Sequence, residues 1–342
     1  MEAQSPVGSR NCIKTTASAI RMTTSTLSFT NHLDHGLARW GVKRMGHQME
    51  PGLYQLGNPT SDSPVFASAN YTLSFDALRS ALAGIDCYIL VLDTKGINVW
   101  CAAGKGTFGT DELVRRIELT GLSGIVGHRK IILPQLGAPG VSAHEVSHRS
   151  GFSVEYGPVR ARDLPAYLAT HTKTREMRTV QFTLADRLIL APMELVHIAL
   201  PAIAAAVILF VFAGLVAALA AVVAVLAGTV LFPALLPILP TRDFSTKGFF
   251  LGVIVAIPFS AIFFLVPEIS GIDQIIAVLV PLLIVPAVTA YLALNFTGST
   301  TFTSRTGVKK EIFRYVPVMA LMAGIGTVLG IVLGILRVLR VA

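Results

Sequence analysis

The chain has 342 residues, 53% of them hydrophobic and only 14% charged, which is too apolar for one soluble domain and points to membrane spans. Its formal net charge of +8 comes without a basic run interleaved with aromatics, so basic residues at membrane edges account for it better than nucleic-acid binding does. Three widely spaced cysteines, Cys12, Cys87 and Cys101, are too few for an all-cysteine zinc site or a four-cysteine iron–sulfur cluster, and they imply no disulfide framework.

Residues 1–45 carry Arg10, Lys14 and Arg21 among many Ser and Thr, with no apolar core of signal-peptide length. They read as a loosely ordered arm, helical over 32–44. From 50 to 168 short apolar runs alternate with amphipathic stretches. Segments 65–69, 88–93, 131–134 and 152–156 read as strands. Between them fall a helix with Ser74 near its cap and Phe75, Leu78, Ala81 and Leu82 on one face, then a helix carrying Leu113 and Ile117. Short helices follow at 142–149 and at 163–170, the latter with Pro165 in its first turn. Strands separated by single helices predict an α/β fold with a parallel, doubly wound sheet. In such a sheet a ligand sits beyond the carboxyl ends of the strands, here at loops 70–73, 94–109, 135–141 and 157–162. Gly and Pro in three of these loops let backbone approach a large flat ligand.

One loop stands apart. Thr94-Lys95-Gly96-Ile97-Asn98-Val99-Trp100-Cys101-Ala102-Ala103-Gly104-Lys105-Gly106-Thr107-Phe108-Gly109 follows a buried strand and precedes a helix opened by Thr110-Asp111-Glu112. Asn98 suits the N-cap of a very short helix and Gly104 its stop. That places Cys101 in a first helical turn, where unpaired N–H groups and the helix dipole favour a thiolate, with Lys105 adding a cation. Taken alone, a free Cys beside Trp and Ala is also an ordinary small core residue.

The whole string Asn98-Val99-Trp100-Cys101-Ala102-Ala103-Gly104-Lys105 resembles the cobalt-ligating motif of the mercury-methylating corrinoid proteins, themselves similar to the large subunit of the corrinoid iron–sulfur protein. The resemblance runs from about Trp40 to the C-terminus. It includes Glu50-Pro51-Gly52-Leu53-Tyr54, Gly57-Asn58-Pro59-Thr60, Ala69-Asn70-Tyr71, Gly137-Ala138-Pro139-Gly140, Tyr156-Gly157-Pro158-Val159-Arg160 and Asn295-Phe296-Thr297-Gly298-Ser299-Thr300. It implies a Rossmann-like corrinoid-binding domain over 46–172, a linker over 173–190 and an all-α transmembrane domain over 191–342. Cys101 is then the lower axial ligand of the corrinoid cobalt, and Asn98, Val99, Trp100, Ala102, Ala103 and Gly104 cap the ring from beneath. Lys105 is a thiolate-stabilising cation or a solvated cap residue. Ser68, where the family has Thr, keeps a hydroxyl able to bond the sulfur, and Asn70 and Tyr71 are wall residues. The implied cycle takes a methyl group from a folate-pathway donor onto Co(I) and passes it from methyl-Co(III) to Hg(II), releasing methylmercury. A small iron–sulfur ferredoxin partner supplies electrons and handles mercury. A strongly donating thiolate favours a methyl that leaves with electrons, which a soft electrophile accepts.

Other readings compete. A corrinoid carrier of one-carbon metabolism with a different acceptor shares Cys101. His144-Glu145-Val146-Ser147-His148 matches the zinc-protease pattern, yet Gly140 and Gly151 bracket a helix of about two turns and no third ligand follows. Gly104-x-Gly106-x-x-Gly109 matches the dinucleotide fingerprint, but the spacing after the strand is too long for the tight first turn. A Walker loop fails because Val99 stands where its first glycine belongs and Gly106 follows Lys105. A transporter with a regulatory domain predicts paired charges inside the spans, where almost none occur.

Residues 175–187 form a polar connection, after which five apolar segments are drawn at about 194–214, 216–238, 247–267, 274–294 and 315–337. Only Gly214 suggests a turn in the nearly unbroken run 199–239, and Glu194 and His197 sit at the mouth of the first span as interface anchors. Loop 241–247 carries Arg242 and Lys247, and loop 295–314 carries Arg305, Lys309, Lys310 and Arg314. The alternate loop 267–274 has Glu268 and Asp273 and no Lys or Arg. The positive-inside rule therefore puts the corrinoid domain and both basic loops in the cytoplasm, with Arg337 and Arg340 mildly against it. The Thr-, Ser- and Gly-rich segment 295–307 reads as a solvated connector or a docking surface.

Overall fold

The computed structural model describes residues 20–265, 271–300 and 304–341. Cys12, Arg10, Lys14 and Glu268 lie outside the described residues. The chain divides into two compact units, one of residues 1–38 with 42–181 and the other of 39–41 with 182–342.

The first unit is built on a six-stranded sheet of β1 (Arg21–Thr23), β2 (Gly52–Leu56), β3 (Val65–Ala69), β4 (Cys87–Leu92), β5 (Lys130–Leu133) and β6 (Ser153–Tyr156), in the order β1-β2-β4-β3-β5-β6. Strands β4, β3, β5 and β6 are mutually parallel. Numbered among themselves they stand in the order 2-1-3-4, so the winding reverses between β3 and β5. The expected all-parallel sheet is corrected at its other edge. Strand β2 runs antiparallel to β4, with Tyr54 opposite Ile89, and β1 pairs with β2. The link 57–64 holds no crossover helix, so β3 begins near the end of the sheet where β2 stops and runs the opposite way, with β4 between the two. The stretch expected to be a loose arm thus supplies a strand, and its helix α1 covers Phe29–Arg39.

Alternation along the strands builds two cores. Val65, Ala67, Tyr88, Leu90, Leu92, Ile131 and Leu133 pack on one face with residues of α4 (Thr110–Thr120) and α5 (Ala143–Ser150). Phe66, Cys87, Ile89, Val91 and Ile132 pack on the other with α2 (Thr72–Ala81) and α6 (Leu164–Thr170). Phe75, Leu78 and Leu82 face this second core as their spacing predicts. Helix α2 starts two residues ahead of the expected cap Ser74, with Tyr71 at the N-cap position. Helix α3 (Val99–Lys105) follows β4 at the carboxyl end of the sheet.

Among the described residues, the second unit holds five helices long and apolar enough to cross a membrane: Leu184–Ala213, Leu215–Leu235, Phe244–Leu265, Ile272–Ser299 and Thr306–Leu339. Their continuous α-helical parts are α7 (Ala191–Ala213), α8 (Leu215–Leu226), α9 (Phe244–Leu265), α10 (Ile272–Asn295) and α11 (Arg305–Val341). Gly214 alone separates the first two, at φ +86°. Helix α11 contains the expected 315–337 span and extends past both its ends: at 37 residues it runs about 55 Å, well beyond the roughly 30 Å hydrocarbon core. Much of the expected 295–314 loop is therefore helical. Residues Phe296–Ser299 form a 3-10 turn, and Phe296 is buried with its ring 6.4 Å from Phe182 and 6.1 Å from Phe232. That part of the Thr-rich segment is packed, not solvated. Two cations also do more than mark a side. The Arg187 Nε donates to Pro233 O at 2.7 Å, and Lys247 Nζ donates to Leu236 O and Leu239 O, both at 2.8 Å. They satisfy carbonyls left open where the helix breaks.

Candidate functional site

Helix α3 is seven residues long and starts where the sequence places it. Asn98, with extended backbone, accepts the Cys101 N–H on its side-chain oxygen at 2.9 Å. Its end differs from expectation. The helix passes through Gly104 and stops at Gly106, whose φ of +82° suits a residue without Cβ. Gly104 is instead an exposed position inside the helix, with nothing within 4 Å of where a Cβ would stand.

The helix has three surfaces. Ala102 and Ala103 are buried in the first core with Phe108 and Val141. Asn98, Val99 and Trp100 line a cavity of about 260 Å³ with Phe66, Ala67, Ser68, Ile132 and Pro134. Because it is walled by the carboxyl ends of β3 and β5, that cavity lies at the point where the strand order reverses. Cys101 is half-buried and does not line it; with Gly104 and Lys105, three and four residues on, it shares the third, open surface. The structure thus groups Asn98, Val99, Trp100 and Ser68 around the cavity, and separates Cys101, Gly104 and Lys105 from them.

Ser68 is buried, and its hydroxyl donates to Ala69 O at 3.1 Å, not to the sulfur. Asn70 is buried outside the cavity lining and turned into the 94–96 turn. Tyr71 is likewise absent from the lining.

The glycines of loop 135–141 make their close approaches to the protein itself. A Cβ on Gly140 would stand 2.2 Å from Phe108 O and 2.9 Å from Ala103 Cα, and one on Gly137 would stand 2.5 Å from the Phe108 ring. The Gly-Ala-Pro-Gly segment holds α3 down and is not the open bed for a flat ligand that the sequence suggested. The loop residues Leu136, Pro158 and Val159, with Leu164 at the start of α6, also line the cavity and are not among the candidate site residues read from the sequence. Near them Lys173 Nζ donates to Tyr156 O and to Gln135 Oε1, and burial, with Arg178 nearby, lowers its pKa. Their position after β5 and β6, and for Pro158 and Val159 the Tyr156–Arg160 motif, were the available signals; their residue types carry none.

Cys87 offers no second reactive sulfur. It is fully buried on β4, where burial and Asp86 push its pKa up to about 12. In α5 the residues His144, Glu145 and His148 are all exposed, and Glu145 pairs with Arg149 at 2.9 Å, which also reaches Asp111 at 2.7 Å. Among the described residues no group of three or more His, Cys, Asp or Glu is placed to hold a metal ion.

Residues 42–168 match the family described as the CO dehydrogenase/acetyl-CoA synthase delta subunit. The acetyl-CoA decarbonylase/synthase complex gamma subunit of Methanopyrus kandleri is 33% identical over 127 residues, 36% of this chain and 27% of the relative. The gamma 2 subunit of Methanosarcina mazei is 33% identical over 120 residues, 34% of this chain and 25% of the relative. The gamma subunit of Archaeoglobus fulgidus is 30% identical over 157 residues, 45% of this chain and 31% of the relative. The chain spans about a quarter to a third of the length of these relatives.

Proposed function

We propose that the chain is a corrinoid-dependent methyltransferase that delivers a methyl group to Hg(II), with Cys101 as the residue whose thiolate would hold the corrinoid cobalt. The observation that carries this reading is the setting of Cys101. Its amide is capped by Asn98 in the first turn of α3, its side is half-open, and the position one turn on is a glycine with free space around it. A broad flat ring needs a ligand on such a side-chain-poor surface, so the residues fit the group. The 260 Å³ cavity is too small for the ring itself and lies on another face of α3 from Cys101.

When bound, the corrinoid would supply a methyl group able to leave with its bonding electrons, chemistry that a strongly donating thiolate would favour. The protein's share is to hold the sulfur: Asn98 fixes the Cys101 amide in the first turn of α3, and Lys105 lies four residues on, one turn along the helix. The names of the relatives describe cleavage or synthesis of an acetyl group, chemistry in which a one-carbon unit changes hands, and this supports methyl transfer. The partners in this reading are a methyl-folate-dependent donor and a small iron–sulfur ferredoxin. Residues 46–172 form the corrinoid-binding domain, on the cytoplasmic side of a membrane domain over 191–342.

Anaerobically purified protein is expected to carry a cobalt-corrinoid spectrum and to make methylmercury when reductant is supplied. Cys101→Ala is expected to lose the thiolate-ligated spectrum and at least about a hundredfold of the activity, as for removal of an essential ligand contact. Retained methylation by that variant would end the proposal. A second reading, a one-carbon carrier with another acceptor, is favoured by the same relatives' names; methyl transfer by the wild type to another acceptor but not to Hg(II) selects it.

A further inference from the structure

Asn70 sits between β3 and α2 and is 1% exposed. Its side-chain oxygen gathers three donors from a single turn: Thr94 N at 3.0 Å, Thr94 Oγ1 at 2.8 Å and Gly96 N at 2.9 Å. Two of these donors are backbone amides, so the atom facing them is oxygen and not the amide nitrogen. Thr94 is fully buried, and the single proton of its Oγ1 is shared between Asn70 Oδ1 and Ile97 O, the carbonyl just before Asn98, at 2.7 Å. Gly96 sits at φ +70°, and a Cβ there would come within 2.7 Å of Gln48, whose Oε1 takes the Asn70 amide at 3.4 Å. The turn is therefore held on both sides.

Helix α3 needs such an anchor. Two turns are too few to be stable by themselves, and its buried side chains are two alanines. We infer that Asn70 is a positioning residue for Cys101: by fixing the Thr94–Gly96 turn it sets where Asn98 begins the helix, and Asn98 in turn holds the Cys101 amide. The importance of that position rests on the reading of Cys101 as the cobalt ligand; the mechanical link does not. Asn70 acts on the sulfur through the backbone and does not itself wall a cofactor, which is the role the sequence suggested.

Toward the turn Asn70 is an acceptor only, so Asn70→Asp keeps its function and the similarly sized Asn70→Leu removes it. The test is amide hydrogen exchange on the full chain in detergent without corrinoid. Exchange at Gly96 and Cys101 is expected to be about tenfold faster in Asn70→Leu, as for a lost buried hydrogen bond, with the amides of β3 and β4 unchanged. Asn70→Asp is expected to restore it. Thr94→Val, which keeps volume and loses the hydroxyl, is expected to loosen the same two amides and stands in if the Leu variant fails to fold. Unchanged exchange, uniform loosening of the whole sheet, or no rescue by Asp would overturn the inference. In corrinoid-loaded protein the thiolate–cobalt spectral signature is expected to be lost in Asn70→Leu and regained in Asn70→Asp. A wild type that takes up no corrinoid counts against the proposed function alone, because the exchange measurement needs none.

Discussion

Two cysteines of like size lie within fifteen residues of one another and differ wholly in chemistry. Cys87 points into the core between sheet and helices, and burial with Asp86 nearby holds it as the thiol. Cys101 is half-open at the start of a helix. Alkylation with iodoacetamide, read by peptide mass, is therefore expected to modify Cys101 and spare Cys87 until the protein is unfolded. Equal labelling of both in the native state would contradict the burial. A second residue-scale expectation concerns Asp34 on α1, which bonds His47 at 2.6 Å and Thr72 at 2.7 Å. Burial works to raise its carboxyl, but the Thr72 and His47 hydrogen bonds and the His47 charge outweigh it and hold the group below its ordinary value. Its stabilising effect is then present above the unfolded carboxylate range and lost as pH falls through the folded pKa. Exchange of the α1 amides is expected to accelerate over that acid window, and Asp34→Asn is expected to flatten the dependence.

At the scale of elements, the placement of α3 is a matter of contact between loops. The glycines at 137 and 140 permit Phe108 O, its ring and the Ala103 backbone to come closer than any side chain would allow. Gly140→Ala is expected to cost about 1–3 kcal/mol in denaturant unfolding of the first unit, the range for forcing a methyl into a packed site. Under the proposed function it is also expected to weaken corrinoid retention, since the helix must lift. A variant as stable as the wild type would show that the 135–141 loop moves freely and does not clamp the helix. The same reasoning explains the mixed sheet. Strand β2 runs opposite to β3 and β4 because its short link to β3 holds no crossover helix, and β1 then extends the reversed edge.

Over the whole molecule, charge and length organise the second unit. Basic residues gather at the ends of the helices near Arg187, Arg242, Lys247 and Lys309 to Arg314, some of them capping carbonyls as well as marking a side. Reporter fusions are expected to place the 241–247 turn on the cytoplasmic side and the Gly214 turn on the opposite one. The reverse pattern would invert the proposed orientation of the corrinoid domain.

Local sequence was enough wherever the deciding interaction is itself local. The apolar runs at 65–69 and 88–93, the cap at Asn98, the break at Gly214 and the five long apolar helices follow from periodicity, capping and hydropathy, which act over a few residues. Contacts between distant segments could not be read that way. Pro51 and Gly52 disguise β2 as loop until β4 lies beside it, and Gly140 looks like ligand-binding backbone until Phe108 occupies the space. Asn70 looks like a pocket wall until Thr94 and Gly96, more than twenty residues away, take all of its oxygen's capacity. A side chain announces its chemistry in the sequence; which atoms share its hydrogen bonds and its volume is decided only when the chain has closed around it.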